Sequence, residues 1–93
     1  MKKVLIVDDD FLVRTYLKQM ITWEEHGFYI VGDAKNGQEA LEFLQRDGAD
    51  ILIADVSMPI MNGIELTRQV KKFSPRTHIL IGAAPHTRDF SRE

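Results

Sequence analysis

Two stretches of this chain run apolar and then stop at carboxylates. Val4-Leu5-Ile6-Val7 leads into Asp8-Asp9-Asp10, and Ile51-Leu52-Ile53-Ala54 leads into Asp55. A carboxylate at the end of a core strand is poorly placed for stability, because its charge is costly to bury unless something pairs with it. It is well placed for chemistry, since open parallel sheets bind ligands beyond the carboxyl ends of their strands. If the two strands are neighbours, Asp8, Asp9 and Asp55 converge. Clustered carboxylates repel one another unless a cation sits among them. An all-oxygen donor set suits a hard cation, and Mg²⁺ commonly takes one or two carboxylates and keeps several waters. The bland alternative makes the Asp8–Asp10 triplet a helix cap and Asp55 a solvated strand end. It needs two unrelated accidents.

The elements that must position these groups read as βαβαβαβ followed by a tail. Val4–Val7 is rich in β-branched residues, as in a strand covered on both faces. A helix follows from Phe11 to Ile21, with Asp10 as N-cap and apolar pairs Leu12/Val13, Tyr16/Leu17 and Met20/Ile21 at helical spacing. Trp23–Phe28 is a connector that Gly27 ends, with Trp23 as an apolar plug after the helix, and Tyr29–Gly32 is a second strand. Asn36-Gly37-Gln38-Glu39 forms a capping box. The helix it starts reaches Arg46, turns Ala40, Leu41 and Leu44 inward, and stops at Gly48. After the strand Ile51–Ala54, Asn62-Gly63-Ile64-Glu65 repeats the box and opens a helix to Phe73. His78–Ile81 is the last strand. Alternation of this kind predicts an α/β domain with a parallel sheet.

Composition narrows the function. The 93 residues suit one domain, 44% of them are hydrophobic, and the net charge of −2 offers no field for gripping a nucleic acid backbone. The absence of cysteine excludes disulfides and cysteine-ligated metals and fits a cytoplasmic location. The apolar run after Lys2-Lys3 is too short for a signal peptide, and no stretch is long enough to span a bilayer. His26, His78 and His86 lack metal-ligand spacing. There is no phosphate-binding glycine loop.

Val4-Leu5-Ile6-Val7-Asp8-Asp9-Asp10, together with Asp55-Val56-Ser57-Met58-Pro59-Ile60-Met61-Asn62-Gly63, resembles the receiver domain of two-component response regulators. Phe11–Arg14, Trp23–Phe28 and Ala34–Leu41 are similar to receivers attached to AraC-type DNA-binding domains. The resemblance implies a flavodoxin-like, CheY-like α/β/α fold with sheet order 2-1-3-4, the fifth strand and fifth helix being absent. It implies that Asp55 is the phosphoacceptor and that Asp8 and Asp9 hold Mg²⁺, with Asp55 and the backbone carbonyl of Ser57 completing the protein ligands. It implies a sensor histidine kinase as phosphodonor and a role in signalling rather than enzymatic turnover.

The likeness has gaps. Ala83 stands where the family carries a switch Thr or Ser, and no lysine follows Lys72 to match the family's phosphoryl-contacting lysine. Residues 1–81 are therefore expected to form a truncated receiver, and 82–93 a divergent tail. Right-handed crossovers would put the first helix on one face and the second and third on the other. Without a fifth helix, the last two strands would be bare on the first helix's face, and the fourth strand would be an open edge. That arrangement predicts self-association through this face or edge. Two further readings stay open. One is a degenerate interaction module that does not switch. The other is a phosphohydrolase of the haloacid-dehalogenase kind, using Asp8 of Asp8-Asp9-Asp10. DNA binding by this chain is not expected.

Overall fold

The computed structural model describes residues 1–20, 22–55 and 61–82, with only the backbone described at Phe73. In chain order the elements are β1 (Lys2–Val7), α1 (Phe11–Met20), a 3-10 turn (Trp23–His26), β2 (Phe28–Ala34), α2 (Gly37–Arg46), β3 (Ile51–Asp55), α3 (Gly63–Phe73) and β4 (His78–Gly82). The strands described form one parallel sheet in the order β2-β1-β3-β4. This is the order that the resemblance to receivers implies.

β1 is central because all four residues of its apolar run are buried. Strand alternation sends Leu5 and Val7 to one face, where they join Leu52 and Ala54 of β3, Ala40, Leu41 and Leu44 of α2, and Leu66 and Val70 of α3 in one core. Each fully buried aliphatic side chain here contributes about 1.5–3 kcal/mol relative to exposure. Val4 and Ile6 take the other face and are also buried, as is Val13 of α1. Of the apolar pairs on α1, Val13 and the half-buried Leu17 turn inward, whereas Leu12, Tyr16 and Met20 are exposed. Over β3 and β4 that face is thinly covered. Ile51 and Ile53 are half-buried, and Leu80, which pairs with Ile53, is 57% exposed.

β2 is longer than the stretch Tyr29–Gly32. Val4 pairs with Ile30 but Leu5 pairs with Gly32, so Val31 is an extra residue in a bulge and pairing continues to Ala34. Gly32 does not end the strand. It makes room for α2, since a Cβ there would lie 2.7 Å from the ring of Phe43.

The helix ends follow the sequence in part. Asp10 Oδ1 accepts from the Leu12 amide at 2.9 Å and caps α1. Asn36 Oδ1 accepts from the Glu39 amide at 2.8 Å, but the returning Glu39 carboxylate accepts from Lys35 N at 3.1 Å, one residue earlier than a capping box requires. Asn62 caps α3 through the Glu65 amide at 2.9 Å. The Glu65 carboxylate instead runs along the helix to Arg68 and Gln69, so only half of that box forms. Gly48 closes α2 with φ +78° and donates to the Phe43 carbonyl. Trp23 packs edge-on against Phe28 and donates its indole N–H to the Leu17 carbonyl at 3.0 Å, plugging the end of α1.

Candidate functional site

The register of the sheet makes the two acidic strand ends meet. Val7 pairs with Ala54, so Asp8 and Asp55 are each one residue past the last paired positions of neighbouring strands. Asp8 and Asp55 are buried and Asp9 is exposed. One carboxylate oxygen from each of Asp8, Asp9 and Asp55 lies within 4.8 Å of the others. Two buried carboxylates and one facing solvent, all oxygen donors, fit a hard divalent cation beyond the carboxyl ends of β1 and β3. Mutual repulsion among three such groups is the physical reason a cation is favoured there.

The Asp8–Asp10 turn is held at several points. The Asp8 amide donates to the Ala34 carbonyl of β2 at 3.0 Å. Asp8 Oδ1 accepts from the Asp10 amide at 2.9 Å. The Asp10 carbonyl accepts from the Arg14 amide at 3.1 Å as α1 begins. The Asp10 side chain is thus the cap, which leaves Asp8 and Asp9 to face Asp55. The cap reading of the triplet therefore holds for Asp10, whereas Asp55 is a buried strand end and not a solvated one.

Sequence reasoning missed Arg14, Asp33 and Lys18 as neighbours of this site. Arg14 Nη1 donates to the Asp8 carbonyl at 2.7 Å while its Nε donates to Asp33 Oδ2 at 2.7 Å. Lys18 Nζ lies 3.4 Å from Asp33 Oδ1. The available signal was Asp33 itself, a charge near the carboxyl end of a strand whose partner must come from another element.

Some expected site residues lie outside the described residues: Ser57, the Met58-Pro59 turn, Ala83 and the remainder of the tail to Glu93. On β4, Gly82 pairs with Asp55 across the sheet.

Comparison with known proteins agrees with this geometry. The profile of the response regulator receiver domain matches residues 4–92. A chemotaxis protein CheY of Thermotoga maritima is 40% identical over 83 residues, covering 89% of this chain and 68% of that protein. The crystal structure of a two-component transcriptional regulator AraC from Clostridium phytofermentans superposes with TM-score 0.81 at 32% identity, covering 87% of this chain and 65% of that one. A chain of the CheX–CheY–BeF3–Mg²⁺ complex from Borrelia burgdorferi superposes with TM-score 0.75 at 30% identity, covering 86% of this chain and 60% of that one. Other relatives are larger. In a protein-glutamate methylesterase of Hahella chejuensis, 37% identical over 81 residues, the match covers 23% of the protein. Strand order, an acidic cluster at the carboxyl ends of β1 and β3, and a profile match over most of the length lead to one assignment: this chain belongs to the response regulator receiver domain family of two-component systems.

Proposed function

We propose that Asp55 is the phosphoacceptor of this receiver and that Asp8, Asp9 and Asp55 hold Mg²⁺, with the Ser57 carbonyl as a further ligand. The observation that carries the reading is the approach of the three carboxylates to within 4.8 Å of one another at the ends of adjacent strands. The Mg²⁺-containing complex of the Borrelia CheY, a relative in fold and sequence, supports it.

A carboxylate oxygen of Asp55 attacks the phosphorus of a phosphohistidine. The new P–O bond gives an acyl phosphate, the P–N bond breaks, and its electron pair leaves with the imidazole. A divalent cation held by Asp8, Asp9 and Asp55 would supply charge neutralisation for the anionic nucleophile and the phosphoryl group. Asp8 and Asp9 contribute by being fixed in place before that charge arrives. The phosphodonor is a sensor histidine kinase, the chain acts in the cytoplasm, and its role is signalling rather than turnover. Among the described residues no helix is long and apolar enough to cross a membrane. Leu80 and the half-buried Ile53 support self-association through the face of β3 and β4.

A second reading, an interaction module that does not switch, is favoured by Ala83, which has no hydroxyl to follow a phosphoryl group.

Beryllofluoride, a phosphoryl mimic, tests the site. With Mg²⁺ present, wild type should show saturable ¹⁹F NMR signals of bound beryllofluoride, and Asp55→Ala should show none. Equal binding by Asp55→Ala overturns the assignment. Bound signals with no amide shifts along β4 would favour the second reading.

A further inference from the structure

Arg14 spans three elements. It sits on α1, it grips Asp33 of β2, and it donates to the carbonyl of Asp8 at the end of β1. Its side chain is only 13% exposed and that of Asp33 27%, so this is not a solvent-facing ion pair. Phe11 covers the guanidinium, whose carbon is 5.6 Å from the ring centroid.

The carbonyl that Arg14 holds belongs to the peptide joining Asp8 to Asp9. Fixing that peptide plane fixes the directions in which both carboxylates leave the backbone. The amide side of Asp8 is already tied to Ala34 of β2, and Asp33 is the residue just before Ala34. The clamp and the strand pairing therefore refer the Asp8–Asp9 turn to the same rigid neighbour. Two donors of one guanidinium, pointing in different directions, are needed. A lysine could satisfy only one of these partners well.

We propose that Arg14, oriented by Asp33, is a positioning residue for divalent-cation binding: it sets the Asp8–Asp9 peptide so that both carboxylates face Asp55. This rests on the cation-site reading above. Groups that orient metal ligands typically change affinity by about 10–100-fold when removed.

Charge alone predicts the opposite sign. Arg14 is a cation beside an acidic cluster, so removing it without loss of geometry would tighten Mg²⁺ binding. Positioning predicts that binding weakens.

The test is Mg²⁺ titration of wild type, Arg14→Met and Arg14→Lys, followed by the backbone amide shifts of residues 8–10, with thermal unfolding recorded in parallel. Leu44→Ala, on the opposite face, serves as a control for simple loss of stability. The expected result is about tenfold weaker binding in both Arg14 variants, with Leu44→Ala unchanged in affinity though less stable. If Arg14→Met does not fold, Arg14→Lys decides, since it keeps the charge but loses the planar fork that presents Nε and Nη1 to two separate partners. Wild-type or tighter affinity in the folded Arg14 variants overturns the clamp and leaves the cation site standing. A wild type that shows no Mg²⁺ response overturns the cation site, and the clamp with it.

Discussion

Gly37 and Met61 meet with no space between them: a Cβ on Gly37 would lie 2.7 Å from the Cβ of Met61. Gly37 begins α2, and Met61 closes the segment that leads from Asp55 into α3. The contact ties Met61, just ahead of α3, to the start of a neighbouring helix.

Gly37→Ala is therefore expected to destabilise the chain by about 1–3 kcal/mol through overpacking. Helix propensity alone would give the reverse sign, since Ala is favoured over Gly by up to about 1 kcal/mol within a helix. Urea unfolding decides between them, and a stabilised Gly37→Ala would show that Met61 yields.

Thr77 is buried beneath the amino end of β4, where its hydroxyl donates to the Ala49 carbonyl at 2.9 Å and lies 2.7 Å from the Ser74 hydroxyl. Thr77→Val should cost about 1 kcal/mol, because the half-buried Ala49 carbonyl loses its donor while the volume stays about the same. An unchanged melting temperature would mean that the Ala49 carbonyl finds another partner.

Asn36→Ala should cost about 1 kcal/mol, and Asn36→Asp much less, because the aspartate can still accept from the Glu39 amide. Equal losses in chemical denaturation would place the role of Asn36 elsewhere than in the cap.

Leu80 tests the proposed self-association. Sedimentation of wild type at micromolar concentration is expected to show a species larger than the monomer, and Leu80→Arg should return it to a monomer. A monomeric wild type removes that proposal without touching the site.

Much of the architecture was legible because it depends on local pattern. The apolar runs ending at Asp8 and Asp55 and the helical period of Ala40, Leu41 and Leu44 are visible within a few residues. The meeting of Asp8 with Asp55 needs the strand order, which the local pattern leaves open and the resemblance to receivers supplies. The bulge at Val31 is not legible, because a register shift against the neighbouring strand is not encoded in any local period. Nor was the clamp of Arg14 on Asp33 and Asp8, whose members come from three elements. The second half of each capping box was misplaced for a related reason. Glu39 and Glu65 had competing partners, the Lys35 amide in one case and Arg68 with Gln69 in the other.

The most direct measurement is the mass and position of a transferred phosphoryl group. Wild type, Asp55→Ala and Asp8→Ala are incubated with a small-molecule phosphodonor, with and without Mg²⁺, and acyl phosphate is trapped by borohydride reduction. The phosphoacceptor assignment predicts one phosphoryl group on wild type only with Mg²⁺, homoserine at position 55 after reduction, and no addition to Asp55→Ala or Asp8→Ala. Phosphorylation of Asp55→Ala to the wild-type extent, or transfer to wild type independent of Mg²⁺, would contradict it.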